Sequence, residues 1–182
     1  MSTTVYTNNG QVLIDVSDNK WLAESSGPGP TPIVLPDNTI RIRFISGCTP
    51  TMGTSQTLVD STNNVWDIYN SSNSWDSWFL AENSAIIEVL ASNTRNVTTM
   101  ECLFYNCRDL INVPLLDVSS CTNMTFAFYG CRSVESGALA LYQRASSNPN
   151  IRDYSWCFLN CGVNTTTGAA ELAQIPSSWK DI

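Results

Sequence analysis

A short apolar stripe that returns in register constrains this chain more than any other feature of its sequence. Met100, Leu103, Phe104 and Cys107 stand at i, i+3, i+4 and i+7, the spacing of one face of a short helix. Met124, Ala127, Phe128 and Cys131 repeat that spacing further along, and Tyr154, Cys157, Phe158 and Cys161 repeat it again. Around the stripe, Tyr105, Arg108 and Leu110 match Tyr129, Arg132 and Val134, and Asn106 matches Asn160. A weaker relative lies one interval before Met100, where Phe79 and Leu80 keep the stripe while Asp76 and Asn83 replace its outer members, and Ile86, Val89 and Ala91 align with Leu110, Val113 and Leu115. Each unit reads as a short amphipathic helix or helical turn, a bend, and a brief strand such as Val113 to Leu116. A unit this small cannot bury its own apolar side, so the expected solution is stacking against its neighbours.

The interval from Met124 to Tyr154 is longer than that from Met100 to Met124, and the cause is visible in residues 137–150. There Ala138, Leu141, Tyr142 and Ala145 form another helical stripe that Ser136 or Gly137 is placed to start. Ala169, Leu172 and Ala173 continue a helical pattern that Pro176 stops, leaving Trp179 to lie over the last unit as a lid.

Upstream, residues 1–23 carry a hairpin signal: Thr4 to Thr7, then Asn8, Asn9 and Gly10, then Val12, Leu13, Ile14 and Val16. Residues 24–32, rich in Gly, Pro and Ser, read as a linker, with an ordered surface loop as the alternative. Within residues 33–75 Thr39 to Ile45 alternates, placing Ile40, Ile42 and Phe44 on one face and Arg41 and Arg43 on the other. Gln56 to Val59 and Asn64 to Tyr69 form a second hairpin signal, so this segment is expected to be a β cap leading into repeats over 76–182.

The segments NVTTMECLFYNCRDL and SCTNMTFAFYGCRSV resemble the BspA-like leucine-rich repeat family, whose units follow N-V-T-N-M-x-x-M-F-x-x-C-x-x-L. Asn96, Val97, Thr98, Met100, Phe104, Cys107 and Leu110 match position by position, with Leu103 for Met and Thr99 for Asn. The second unit keeps Thr122, Asn123, Met124, Phe128, Cys131 and Val134 but has Cys121 for Val and Ala127 for Met, and the likeness covers residues 86–162. It implies an α+β fold: a short leucine-rich-repeat-type solenoid of about three to four coils with a β cap and a flexible N-terminal arm. The repeat core would be Met100, Leu103, Phe104, Cys107, Met124, Phe128, Cys131, Tyr154, Phe158 and Cys161. The family's members serve adhesion, partner binding and structural roles in bacterial surface proteins and in phages.

The chain offers little catalytic chemistry. With no histidine, nucleophile and base pairs of the Ser-His or Cys-His kind are excluded, and a structural zinc site would have to be all cysteine. Cys107, Cys131 and Cys161 share one repeat position, which favours small core side chains over metal ligands. A glycosidase could work with two carboxylates alone, yet the acidic residues show no grouping. A net charge of −7 opposes phosphate neutralisation, so nucleic acid is not an expected partner. No apolar run is long enough to insert in a membrane, and no basic region followed by an apolar one marks a secretion signal near the start.

Two groups of side chains are candidates for binding. Trp66, Tyr69, Trp75 and Trp78 cluster, either to pack the cap or to present aromatic surface. Tyr105, Arg108, Tyr129 and Arg132 lie off the stripe and repeat in register, so they could form a partner-binding surface of Tyr and Arg rows, or be ordinary flanking residues. The expectation is a non-catalytic structural or recognition protein without cofactor or metal, associated with a virion as capsid decoration, head fibre or tail protein. It would meet a protein partner, or a glycan, on a particle or host surface, with a homo-oligomer such as a trimer in view. An intracellular bacterial scaffold and a carbohydrate-active enzyme are the alternatives.

Overall fold

In a computed structural model of the chain, the described residues are 5–8, 11–16, 20–24, 33–50, 55–75 and 80–181, with side chains described from Leu35 onward. Strands β1 (Val5–Asn8), β2 (Gln11–Val16), β3 (Lys20–Glu24) and β4 (Ile33–Val34) form one antiparallel sheet in that order. Asn8 pairs with Gln11, which closes the first hairpin across Asn9 and Gly10; these two lie outside the described residues, as do residues 25–32 of the expected linker. The expected hairpin of β1 and β2 is continued by β3 and β4 into a four-stranded sheet. The physical reason is that a lone hairpin is marginal, and β3 and β4 supply the further strands it needs.

A second antiparallel sheet, ordered β6-β7-β5-β8, contains β5 (Thr39–Phe44), β6 (Ser55–Asp60), β7 (Val65–Tyr69) and β8 (Ile86–Asn93). Directly opposed residues share a face, so the pairs Ile40 with Ile68 and Ile42 with Trp66 line one side. Ile40, Ile42 and Ile68 are fully buried there and join the main core. The other side holds a small second core of Leu35, Val65, Leu90 and Ala91. Arg41, expected toward solvent, is 5% exposed. It donates from Nε and Nη2 to the two Asp67 carboxylate oxygens at 2.7 and 2.9 Å, a two-point pairing that compensates its buried charge.

Beyond the sheet the expected class is corrected. The regular structure is mostly antiparallel sheet, joined by the helices α1 (Ala138–Ser146) and α2 (Thr166–Gln174) and a 3-10 turn at Ser177–Trp179, and it is not a leucine-rich-repeat-type solenoid. Residues 100–107, 124–131 and 154–161 are not helices, Val113 to Leu116 is not a strand, and the parallel pairing between units consists of isolated bridges such as Thr99 with Asn123 and Asn123 with Asp153. Each apolar stripe is instead two consecutive β-turns. In the first unit Leu103 N–H donates to Met100 O at 3.2 Å and Cys107 N–H to Phe104 O at 3.1 Å. The third residue of each turn is left-handed, Cys102 at φ 57° and Asn106 at φ 54°, as a type II turn requires. Phe126 with Gly130 and Trp156 with Asn160 repeat the pattern, at φ 57°, 70°, 55° and 59°. Left-handed residues at that interval forbid a helix. The ends of two four-residue turns also fall at i, i+3, i+4 and i+7, so the sequence spacing fits either form.

Turned outward from their own unit, the backbone N–H groups meet the next one. Met100, Cys102, Phe104 and Asn106 donate to the carbonyls of Asn123, Thr125, Ala127 and Tyr129 at 2.8, 3.0, 2.8 and 2.7 Å, and Met124, Phe126, Phe128 and Gly130 donate to Asp153, Ser155, Cys157 and Leu159 at 2.7, 3.1, 2.9 and 2.9 Å. The turns thus lie tier on tier, and their corner residues fill the interior. Met100, Leu103, Phe104, Cys107, Met124, Ala127, Phe128, Cys131, Cys157, Phe158 and Cys161 are all buried, while Tyr154 is half-buried beneath Trp179. Helix α1, entered through Gly137 at φ 95°, adds Ala138, Leu141 and Ala145 to that core. Val113 to Leu116 cannot run as a strand because Pro114 lacks an N–H and Leu116 N–H turns back to Pro114 O at 2.9 Å.

Candidate recognition surface

Between the buried corners of each pair of turns, two positions are half-buried in most units, with Cys102 the buried exception. They carry Cys102, Phe126 and Trp156 at the left-handed site, and Tyr105, Tyr129 and Leu159 at the position after the second turn begins. Tyr105 and Tyr129 stack with ring centroids 4.9 Å apart and planes 11° apart. Phe126 and Trp156 stack beside them at 4.9 Å and 7°. The columns lock edge to face, Tyr105 to Phe126 at 6.0 Å and Phe126 to Tyr129 at 5.7 Å. All four rings are half-buried.

Holding Phe126 and Trp156 in the left-handed region costs about 1 to 2 kcal/mol at each, since a Cβ there crowds the following carbonyl. Asn106, Asn160 and Gly130 at the second turn are residues that tolerate it. The strain at Phe126 and Trp156 places two large rings in one column on the surface. Within each column one face of each ring is covered by its neighbour. Rigid aromatic rings of this kind are enriched among the side chains that anchor protein interfaces.

Of the expected Tyr and Arg rows, the structure stacks Tyr105 on Tyr129. Arg108 and Arg132 are both exposed. Arg108 lines, with Glu82, Ser84 and Asn106, a shallow polar depression of about 330 Å³. Phe126 and Trp156 escape sequence reasoning that follows only the positions shared by the first two units. The available signal is their common place two residues after Met124 and Tyr154. In the other aromatic group Trp75 is buried, Trp66 is half-buried, Tyr69 is exposed, and Trp78 lies outside the described residues.

Two carboxylates, Glu88 and Glu171, line one cavity of about 410 Å³. Both are engaged in structural bonds. Glu88 accepts from Arg43 Nη1 at 2.7 Å, and Glu171 on α2 accepts from the backbone N–H groups of Gly137 and Leu139 at 3.3 and 3.1 Å, where a negative charge suits the start of α1.

All seven cysteines are free thiols. Among the described residues no group of three or more His, Cys, Asp or Glu is placed to hold a metal ion. Cys107 Sγ donates to Leu80 O at 2.9 Å and Cys131 Sγ to Phe104 O at 3.0 Å, so the thiols close bonds between tiers. Burial pushes Cys107 up to about 12 and Cys121 to about 11, and burial together with the Glu101 charge takes Cys102 to about 11. Burial raises Cys131, Cys157 and Cys161 as well. The thiolate is the reactive form, so these six are unreactive near neutral pH. With iodoacetamide at pH 8 the native protein is expected to gain one adduct, at the half-buried Cys48, and seven after unfolding. Intact-mass measurement checks this, and two or more adducts on native protein would show an open interior.

No helix among the described residues is long and apolar enough to cross a membrane. In comparisons with known proteins, no family model, no curated protein and no solved structure matches the chain.

Proposed function

We propose that this chain is a non-catalytic structural or recognition module, displayed on a virion or comparable surface, that meets a protein partner through Tyr105, Phe126, Tyr129 and Trp156. The observation that carries the reading is the pair of locked aromatic columns, half-buried, with two of the rings on left-handed backbone. Tyr and Trp fixed by their neighbours lose little freedom on binding, which is why such residues dominate interface energetics. The BspA-like likeness of residues 96–110 supports it as a likeness of motif only.

The test uses particles purified from the producing culture. Mass spectrometry of those particles is expected to find the chain, and a Tyr129→Ala, Trp156→Ala double variant is expected to be retained on them about thirtyfold less, the loss of about 2 kcal/mol that truncating an interface anchor brings. An unchanged circular dichroism spectrum shows that the variant still folds. Recovery of the wild-type chain from the cytosol alone would contradict surface display, and undiminished retention of the folded variant would remove the aromatic columns from the interface.

A further inference from the structure

Most cationic side chains among the described residues have a task in the fold. Arg41, Arg43 and Arg95 pair with Asp67, Glu88 and Asp37, each at 2.7 Å. Arg144 Nη1 donates to the carbonyls of Leu115 and Leu116, and Lys180 Nζ donates to that of Leu172. Arg108 and Arg132 are different. Both are exposed, and among the described residues neither side chain forms an ion pair or a hydrogen bond. Asp109 and Glu135, the exposed carboxylates close to them in sequence, leave them unpaired.

The two arginines occupy one position in successive tiers. Asn106 N–H to Tyr129 O at 2.7 Å and Ser133 N–H to Arg108 O at 3.2 Å hold those tiers in register around that position. Tyr105 and Tyr129, three residues before each arginine, show the tier spacing in their 4.9 Å stack. Like charges set side by side in this way repel, on a chain whose 16 acidic side chains could have neutralised either one. An anionic group placed over both removes that repulsion.

The neighbouring groups select what carries the anion. Arg108 shares its shallow depression of about 330 Å³ with Glu82, Ser84 and Asn106. Glu82 is also exposed and its side chain has no partner among the described residues, so the depression offers both signs of charge unpaired. A uniform polyanion would set one of its own charges against Glu82. A polypeptide can instead bring an acidic side chain to the arginines and a basic one to Glu82. Asn106 follows Tyr105 directly, so the depression adjoins the aromatic columns.

We propose that Arg108 and Arg132 together receive an acidic side chain of the protein partner, while Glu82 receives a basic one. This rests on the reading that the aromatic columns meet a protein, and it adds the charge pattern that the partner must carry. The net charge of −7 does not oppose it at contact, because at 0.1 M salt charges beyond about 10 Å are screened and the two guanidinium groups act first.

A titration of the full ¹⁵N-labelled chain at about 50 mM salt tests it, with a hexapeptide of three glutamates followed by three lysines as the probe. The Nε–Hε signals of Arg108 and Arg132 are expected to shift. That of Arg152, which is exposed but has Thr122 as its counterpart in the adjacent tier, is expected to stay. The double variant Arg108→Gln, Arg132→Gln, with an otherwise unchanged amide spectrum, is expected to bind about fivefold more weakly, the effect of losing two exposed ion pairs. Glu82→Gln is expected to abolish the advantage of this peptide over hexaglutamate. Absence of binding, an equal shift at Arg152, undiminished binding by the double variant, or tighter binding of tripolyphosphate than of the peptide overturns the proposal. The probe has no aromatic or apolar side chain and needs no particle, so a negative result here leaves particle retention through the columns standing. Loss of particle retention with intact peptide binding sinks the functional reading instead.

Discussion

Phe128→Ala is expected to lower the unfolding free energy by about 3 to 5 kcal/mol, the range for removing a fully enclosed phenylalanine. Phe128 has no exposure, and its ring lies 5.4 Å from Phe104 on one side and 5.9 Å from Phe158 on the other. Collapse could soften the loss, but the neighbouring tiers are pinned. Phe104 N–H is bonded to Ala127 O at 2.8 Å and Phe128 N–H to Cys157 O at 2.9 Å, so the backbone cannot close over the gap without breaking those bonds. Phe128→Leu, which refills much of the volume, is expected to cost less than about 1.5 kcal/mol. Urea denaturation followed by circular dichroism measures both, and equal losses for Ala and Leu would show that the site is not a packed interior.

Trp179→Ala is expected to cost nearly as much, about 3 to 4 kcal/mol, by uncovering the last tier. Trp179 is 5% exposed, stacks on Tyr154 at 4.4 Å, lies 6.2 Å from Phe158 and meets Tyr142 edge to face at 5.5 Å. Its carbonyl also accepts from Phe158 N–H at 3.1 Å, so it closes the stack by backbone as well as by side chain. Because Phe158 touches both residues, the two substitutions share a partner, and the double variant is expected to lose less than the sum of the single losses. Strict additivity would mean that the column does not transmit packing from one tier to the next.

Elements whose partners are close in sequence are legible. The alternation of Ile40, Ile42 and Phe44 marks β5, the run around Asp60 to Asn63 marks the β6 and β7 hairpin, and the stripes around Leu141 and Ala169 mark α1 and α2, the latter ending just before Pro176. The apolar stripes themselves mislead in kind. Met100, Leu103, Phe104 and Cys107 meet a helical template and a double-turn template equally well, and only the backbone angles of Cys102 and Asn106 distinguish them. Nothing about a cysteine announces a left-handed φ. That ambiguity carries the expected class with it, because a helix and strand in every unit would have built a solenoid where the chain builds antiparallel sheet, turns and two helices. Arg41 departs from expectation for another reason, since its burial depends on Asp67, a residue 26 positions away that only pairing of β5 with β7 brings beside it.

The candidate surface is half legible. Tyr105 and Tyr129 recur at one repeat position and stack, but Phe126 and Trp156 have a cysteine as their counterpart in the first unit, which hides the column they form.

Amide hydrogen exchange tests the tiered packing most directly. The amides of Met100, Cys102, Phe104, Asn106, Met124, Phe126, Phe128 and Gly130 are expected to exchange only through global unfolding, with a common free energy that falls together in Phe128→Ala. Rapid exchange at these eight amides in the native protein, beside a protected β5 and β7, would show that the turns do not rest on one another.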